Sequence, residues 1–566
     1  MENDSGHAEM LGFRQIYNGK WQKANGGFAM MTIRKIDGII WVVLICTAVV
    51  MGAGLFVHRL ETGGDNLDFL LIARSIHEGD WHSVVQWHHP MGYPLLMATL
   101  LGMRGAWLDT GGLFHLTPEM ILWLKGAGIL LFAATAVFVY LLAELLLKSR
   151  KKALIAGLLF ATNQTLAAWS SVLCAETYLT LLLVASLYLW EKHAQQTPKE
   201  GGSPYLWGML PLFALTIIAK HQGLILCAAY GVWVLCLRWK YWREWVAGGI
   251  LFLAFALAVG CILQGRAFPL LHFVESDPYR AGTEITWLFR LESAACVYST
   301  GWADLLIPKV FGYYGLLDIA GLDVLILPGS VLVFLVLLAG FAGSLREGVR
   351  PSHVFFACFY VMLFAWPDFL PRYLFPVFPL GLLYFLRGLF EIGGVLRRWC
   401  GRWVRHAWWL LYGLVAWSVA VNAFAGIKNW RNIVALRDKP AWAAERYRIF
   451  REDDFADYME VCEWAKLHLE TNAVLFARKG TFAELASERP SCYYSSWNTP
   501  EDLWAAMALA TENGPVYLLK DNFDPSSTYG RMREQLVTPL LRDHEAELPI
   551  VTSFPSGVEF RRVGTE

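Results

Sequence analysis

Charged residues are scarce in this 566-residue chain. Asp, Glu, Lys and Arg together make up 17% of it, whereas 56% of the residues are hydrophobic and 14% are aromatic. Soluble domains carry about 25% charged residues, so this composition predicts a polytopic membrane protein. The 48 basic and 48 acidic residues cancel in number. We expect a lipid bilayer, and no nucleic acid, among its partners.

The chain also lacks the short motifs that are typical of metal clusters and nucleotide sites. Its ten cysteines show no C-x-x-C spacing, and most lie in apolar runs, where cysteine packs as a small apolar residue. We therefore expect no metal cluster. Residues 427–566 contain no Gly-rich phosphate loop. Cys462 and Cys492 in this region could pair in an oxidising compartment or remain thiols.

A cleavable signal peptide is not evident at the N-terminus. The first apolar run, residues 38–58, is too long for a signal-peptide core and is typical of a signal anchor. We assign residues 1–37 to a cytoplasmic N-terminal tail. Met30 or Met31 could equally be the start of translation, because a basic flank leads from there directly into the span.

Apolar runs of the length that crosses a bilayer recur along the chain. About 20 such residues cover the roughly 30 Å hydrocarbon layer as a helix. The sequence therefore predicts an α-helical polytopic membrane protein with about eleven transmembrane helices. The candidate spans lie near residues 38–58, 118–147, 153–171, 176–190, 205–219, 222–238, 245–264, 323–345, 352–367, 373–391 and 405–426.

The basic residues of the loops set the expected orientation, because Lys and Arg concentrate on the cytoplasmic side. One alternating arrangement of these spans puts every basic loop in the cytoplasm. It places residues 59–117, 265–322 and 427–566 outside the cytoplasm, around a transmembrane domain of residues 38–426. The basic loops in question contain Lys20 and Lys23, Arg34 and Lys35, Lys148 to Lys152, Arg238 to Arg243, Arg346 and Arg350, and Arg397 to Arg405.

The region after about residue 427 differs in composition from the rest of the chain. Apolar runs give way to mixed charge, with a helical pattern around Trp464. Strand-like runs follow at residues 473–476, 516–519 and 558–560. We expect a small extracytoplasmic α/β domain here, a sheet flanked by helices.

The first outer loop, residues 59–117, is far longer than a turn, and long loops in compact proteins tend to carry function. Residues 66–78 have a helical pattern with Phe69, Ile72, Ala73 and Ile76 on one face. We expect this helix to lie along the membrane surface. Residues 92–107 are apolar but too short for a span, which favours an interfacial or re-entrant helix.

Several short motifs resemble those of a known family. They look like those of the GT-C glycosyltransferases that use polyprenyl-phosphate sugars, the superfamily of protein mannosyltransferases and aminoarabinose transferases. The resemblance covers roughly residues 35–430. It rests on Asp65, the segment from Arg74 to Gly79-Asp80-Trp81, His89-Pro90-x-Gly92-Tyr93-Pro94, Ala175-Glu176, Lys220-His221-x-Gly223 and Pro371-Arg372-Tyr373-Leu374-x-Pro376. The chain departs from the family at Asn66, where an acidic residue is common, and at His89, where some members carry lysine.

The resemblance implies that a sugar is transferred from a polyprenyl-phosphate donor to an acceptor outside the cytoplasm, with inversion at the anomeric carbon. The acceptor could be a protein, a lipid or a glycan, and a bacterial inner membrane is the expected location. Asp65 is the candidate general base. It could instead only cap the helix that follows it.

The other candidate site residues would contact the donor. Arginine matches phosphate oxygens by bidentate hydrogen bonds, and histidine can donate to them. Glu176 occupies a second acidic position and could orient sugar hydroxyls or a divalent cation, or only favour its helix start. The sequence identifies no definite cofactor. The candidates for donor phosphate and sugar binding are Arg74, His88, His89, Glu176, Lys220, His221, Arg372 and Tyr373.

Two other functional classes would show different sequence patterns. A transporter or flippase of lipid-linked sugars should show polar residues in the middle of spans and symmetry between two halves. A non-catalytic membrane scaffold would leave the ionisable residues without a shared purpose. The ionisable candidates instead collect at one predicted face of the membrane, which favours the transferase.

Overall fold

A computed structural model shows a helical protein that ends in a mixed α/β unit. It describes residues 28–54, 65–81, 90–102, 118–196, 204–241, 243–251, 253, 287–307, 322–365, 371–400, six single positions between 413 and 431, 453–522 with short gaps, and 533–564 except 556. The helices with described bounds before residue 401 include α1 (Phe28–Gly54), α2 (Asp65–Glu78), α3 (Gly92–Gly102), α4 (Pro118–Leu147), α5 (Arg150–Ala161), α6 (Gln164–Trp169), α7 (Ala175–Gln195), α8 (Pro204–Ala219), α9 (Leu224–Trp233), α10 (Trp287–Leu306), α11 (Ile326–Leu345), α12 (Pro351–Ala365) and α13 (Phe378–Cys400).

Four helices in the described part of the chain are long and apolar enough to cross a membrane: Asp37–Gly54, Trp123–Leu147, Ile326–Leu345 and Arg372–Val395. Shorter apolar helices cover Gly92–Gly102, Tyr205–Ala219, Leu224–Arg238 and Pro351–Phe364. The chain is therefore an integral membrane protein. The number of eleven spans stays a prediction, and the candidate spans at 245–264 and 405–426 lie largely outside the described residues.

The predicted span at residues 153–171 is not one continuous helix. Helix α5 ends at Ala161, and α6 begins at Gln164. Asn163 lies between them, and its side chain accepts a hydrogen bond from the Leu166 amide at 3.0 Å. The Asn163 amide group also donates to the Leu305 carbonyl oxygen at 2.7 Å. A buried helix cap therefore interrupts this apolar run, which hydropathy alone does not reveal.

An ion-pair cluster lies at one end of the helix bundle, where α4 and α11 end and α12 begins. Glu347 in the turn between α11 and α12 binds Lys148 at 2.7 Å, Arg350 at 2.9 Å and Arg387 at 2.6 Å. At the same end, Glu191 near the end of α7 accepts the backbone N–H of Ser352 at 2.9 Å. The N-terminus of α7 consequently lies at the opposite end of the bundle.

The C-terminal unit contains α14 (Asp453–His468), β1 (Val474–Ala477), β2 (Ser491–Tyr493), α15 (Pro500–Ala510), β3 (Val516–Lys520), α16 (Thr538–Asp543), β4 (Ile550–Ser553) and β5 (Glu559–Arg562). The sheet has the strand order β2-β1-β3-β5-β4. Strands β1, β2 and β3 are parallel, and β5 pairs antiparallel with β3 and β4. The three predicted strands are β1, β3 and β5; β2 and the exposed β4 were not anticipated.

The two faces of this sheet have separate cores. Alternate residues of a strand point to opposite faces, so in β3 Tyr517 and Leu518 belong to different clusters. Cys462 of α14 packs in the Tyr517 cluster, whereas Cys492 packs at the edge of the Leu518 cluster. Cys462 is a free thiol, so the alternative that these two cysteines pair is wrong. The apolar surroundings raise the pKa of the Cys462 thiol.

Helix α2 is covered by protein where the sequence predicted a membrane surface. The predicted helix exists as α2, and its apolar residues are buried: Phe69 is 2% exposed and Ile72 and Ala73 are fully buried. Phe69 and Ala73 share one core with the α14 and sheet residues of the C-terminal unit. An amphipathic pattern does not distinguish lipid from protein as the partner of its apolar face. Helix α3 has 11 residues, too few to span a bilayer.

Candidate functional site

A buried carboxylate stands at the centre of the candidate site. Glu176 lies in the first turn of α7, and only 1% of its side chain is exposed. Cys174 precedes the helix in an extended conformation, with no side-chain cap. The positive end of the helix dipole favours an anion at this position.

Two cations approach Glu176 from other parts of the chain. Lys220 Nζ lies 2.5 Å from Glu176 Oε1. Arg372 Nε lies 3.8 Å from the same oxygen. Lys220 follows the end of α8, and Arg372 belongs to the 3-10 segment Pro371–Val377 that precedes α13. Three separate chain segments thus bring their charges together, and two cations face one carboxylate.

The Tyr373 ring lies close to both cations. Its ring centroid lies 6.0 Å from Lys220 Nζ and 5.7 Å from Arg372 Cζ, within the range of cation–π attraction. The Tyr373 side chain is largely buried, at 7% exposure. Lys220 and Arg372 keep 14% and 23% of their side chains exposed. Both cations thus keep part of their side chains accessible beside the buried carboxylate.

Two glycines allow the motif segments to meet. A Cβ atom on Gly92 would lie 2.6 Å from the carbonyl oxygen of Ile218, close to the end of α8. A Cβ atom on Gly223 would lie 2.0 Å from the carbonyl oxygen of Thr216. Only glycine fits where two backbones approach this closely. The glycines of the two motifs thus have a packing role beside Lys220.

Tyr93 and Cys174 are site residues that the sequence analysis did not assign. The Tyr93 ring packs edge-to-face on Phe69 of α2, with centroids 5.3 Å apart, and lies 6.3 Å from the Tyr178 ring of α7. Cys174 lies beside the Glu176 carboxylate. The signal for Tyr93 was present in the Gly92-Tyr93-Pro94 motif. Cys174 carried no signal except its position before Ala175-Glu176.

The structure leaves several sequence candidates untested. Asp65 is the first residue of α2, but its side chain lies outside the described residues. His88 and His89 lie outside them, as does the His221 side chain. Arg74 donates from Nε to Glu78 Oε1, four residues along α2, at 2.7 Å. The roles of these residues stay predictions.

The sequence left open a divalent cation at Glu176, and the residues around Glu176 do not fit one. The carboxylate already faces Lys220 and Arg372, and both positive charges would repel a metal ion. In the described ranges, no group of three His, Cys, Asp or Glu side chains could hold a metal ion. We therefore derive no chemistry from a metal at Glu176.

Comparisons with known proteins identify structural neighbours. No protein-family model and no curated protein matches the sequence. A crystal structure of ArnT from Cupriavidus metallidurans bound to undecaprenyl phosphate is 13% identical, with a TM-score of 0.52 over 93% of this chain and 99% of that one. The oligosaccharyltransferase AglB from Archaeoglobus fulgidus, with an inhibitory peptide and a dolichol-phosphate, gives 12% identity, a TM-score of 0.48 and coverage of 93% and 74%. A complex of the Archaeoglobus fulgidus oligosaccharyltransferase with Zn and sulfate is 12% identical, with a TM-score of 0.48 over 92% of this chain and 72% of that one. The chain thus shares the fold of this ArnT structure, in line with the resemblance of its motifs.

Proposed function

We propose that this protein is an integral membrane glycosyltransferase that takes a sugar from a polyprenyl phosphate. The observation that carries the proposal is the convergence of Lys220 and Arg372 on buried Glu176, in a fold shared with ArnT. That ArnT was crystallised with undecaprenyl phosphate, which supports a polyprenyl-phosphate donor. A protein, lipid or glycan of the cell envelope would accept the sugar.

The two cations suit the charge that appears during transfer. The donor is a phosphodiester with one negative charge, and loss of the sugar leaves a phosphomonoester with up to two. Attraction to Lys220 and Arg372 grows with the charge of the phosphate, so the two cations would stabilise this phosphate most as it leaves. Arg372 would bind phosphate oxygens by its fork of donors, and Lys220 would act as a point charge.

The reaction is a single displacement at the anomeric carbon. An acceptor hydroxyl or amine attacks this carbon, the bond to the phosphate oxygen breaks, and the sugar is transferred with inversion. Asp65 removes the proton of the acceptor as general base. The polyprenyl phosphate leaves with the electron pair of the broken bond. Arg74, His88, His89 and His221 are further candidates for contacts with the donor.

The orientation follows from the distribution of charge. The ion-pair cluster of Glu347, Lys148, Arg350 and Arg387 lies at one end of the bundle, and Lys and Arg are enriched on the cytoplasmic side. Glu176 is 15 positions before Glu191 along α7, which corresponds to about 22 Å of helix. The candidate site and the C-terminal unit would therefore face away from the cytoplasm, in a bacterial inner membrane.

Transfer of radiolabelled sugar from lipids of native membranes tests the proposal. Purified wild-type protein should transfer the label, whereas Asp65→Asn should retain the donor lipid without transferring its sugar. Arg372→Ala should bind the donor weakly, and Arg387→Ala, an arginine that pairs with Glu347 at the other end of the bundle, is the matched control. A wild-type protein that transfers no label from any lipid pool would overturn the transferase and return a transporter or scaffold to consideration.

A further inference from the structure

Helix α2 and the C-terminal unit are joined by a hydrogen bond between distant residues. Tyr493 Oη donates to Asp68 Oδ1 at 3.0 Å, across 425 positions of sequence. Asp68 lies in the first turn of α2 and is 6% exposed. A hydrogen bond to a carboxylate is stronger than one between neutral groups, so this partly buried contact restrains α2.

Apolar packing reinforces the contact. Phe69 and Ala73 of α2 share a core with Cys462 of α14, Tyr517 of β3 and Phe560 of β5. The apolar surface that an amphipathic helix would otherwise give to lipid is thus covered by the α/β unit. Contact with a folded sheet determines the helix position more narrowly than contact with fluid lipid does.

Tyr493 is itself held by the sheet. It is the last residue of β2 and lies opposite Ala477 in the parallel register with β1. The next residue, Tyr494, donates to Asp521 Oδ2 at 2.5 Å, just after the end of β3. Pairing of the edge strand β2 with β1, together with the Tyr494 contact just after β3, therefore holds the backbone at Tyr493.

Helix α2 in turn leads to the candidate site. Asp65 begins α2, and Asp68 follows three positions later in the same first turn. Phe69 packs on Tyr93, and Tyr93 packs near Tyr178 of α7. The first turn of α7 carries Glu176.

We infer that Tyr493 is a positioning residue, which holds α2 through Asp68 and so keeps Asp65 in place relative to the Glu176, Lys220 and Arg372 cluster. The inference rests on the proposed function, since it names what places the base. Tyr493 acts through Asp68 and touches no reacting atom. The α/β unit is thereby a working part of the transferase.

Turnover measurements on full-length Tyr493→Phe test the inference, with Tyr517→Phe as the matched control. Tyr517 Oη donates to Glu470 Oε2 at 2.7 Å inside the C-terminal unit, so this control removes a similar phenol. With labelled lipids from native membranes as donor, Tyr493→Phe should lower kcat about tenfold, because misplaced catalytic groups cost one to two orders of magnitude. The donor KM should change less than kcat, since Lys220 and Arg372 lie outside α2. Tyr517→Phe should resemble wild type.

Variants of Asp68, which accepts the hydrogen bond from Tyr493, distinguish a positioning role from a general loss of folding. Asp68→Asn keeps an oxygen that can accept from Tyr493 and should retain most of the turnover. Asp68→Leu should lose as much turnover as Tyr493→Phe, and the double variant should be no worse than either single one. Independent losses that multiply in the double variant would overturn the inference.

Hydrogen–deuterium exchange tests whether Tyr493 restrains α2 and does not require a transfer assay. Tyr493→Phe should increase exchange in residues 65–78 and leave β1 and β3 protected. Unchanged exchange of α2, or wild-type kcat in Tyr493→Phe, would overturn the positioning role. If wild-type protein transfers no sugar, the proposed function fails, and the exchange experiment alone decides whether Tyr493 restrains α2.

Discussion

Lys220 Nζ lies 2.5 Å from Glu176 Oε1, across 44 positions of sequence, and joins the break after α8 to the first turn of α7. The carboxylate is almost fully buried, whereas both of its cationic neighbours reach solvent. Glu176 thus serves as the fixed anion against which Lys220 and Arg372 are held. This arrangement gives different expectations for the removal of each charge.

Substitution Glu176→Gln should destabilise the protein more than Lys220→Gln. Without the carboxylate, Lys220 and Arg372 both lose the anion that they face, whereas Lys220→Gln leaves Glu176 beside Arg372. Breaking a buried pair costs about 3–5 kcal/mol, and the partial exposure of the cations lowers the expectation to about 2 kcal/mol. Thermal unfolding in detergent measures the difference. Equal stability of the two variants would contradict the assignment of Glu176 as the anchor.

Substitution Arg372→Lys should raise the donor KM about tenfold and lower kcat less. Lysine keeps the positive charge but loses the planar fork that matches two phosphate oxygens. Arg387→Lys is the control, because Arg387 pairs with Glu347 and Glu391 at the other end of the bundle. Steady-state transfer from native lipid donors supplies both constants. An unchanged KM in Arg372→Lys would show that Arg372 contributes charge alone.

Substitution Gly92→Ala should lower activity, and Gly102→Ala should not. Both glycines are at ends of α3, but a Cβ on Gly92 would lie 2.6 Å from a backbone carbonyl, whereas one on Gly102 meets open space. The alanine at position 92 must push α3 away from the end of α8. Transfer rates and unfolding temperatures of both variants check this. Full activity of Gly92→Ala would mean that the two segments can separate without consequence.

Acid should remove a stabilising contribution from Glu347. Hydrogen bonds from Lys148 and then Arg387 lower the pKa of this carboxyl from 4.5 to about 2. Since its pKa is lower in the folded state, Glu347 stabilises the fold fully above about pH 4.5, and the effect is lost as the pH falls towards 2. Glu347→Gln should therefore flatten the dependence of stability on pH between 5 and 3.

Unfolding temperatures at several pH values test this expectation. Glu512→Gln, at an exposed position after α15, is the control and should follow the wild-type curve. A Glu347→Gln curve as steep as that of wild type would assign the acid sensitivity to other carboxylates.

Members of the candidate site could be picked out from the sequence, but their assembly could not. Glu176, Lys220 and Arg372 were each recognised from a short motif, and the structure brings these three together. Their mutual distances depend on how α7, α8 and α13 pack, and no local pattern contains that information. The strict glycine contacts at Gly92 and Gly223 likewise depend on neighbouring backbones.

Patterns that fit two environments misled the sequence analysis. The apolar face of α2 was expected to contact lipid, but it packs on the C-terminal unit. The run at 153–171 has the hydropathy of a span, but the Asn163 cap divides it. Strand β2 has three residues, too few to show alternation. Many of the helices and the major strands were predictable because their signals are long or repeated, whereas the fold was expected from short motifs.

The shared core of α2 and the C-terminal unit has a consequence for synthesis of the protein. Phe69 is made early on the ribosome, whereas its core neighbours Tyr458, Tyr517 and Phe560 are made last. Chains fold largely from the N-terminus as they emerge. The nascent protein must therefore keep this apolar helix face from aggregating until almost the entire chain exists. A premature stop anywhere before residue 458 would leave that face without its cover, and we expect cellular quality control to remove such fragments.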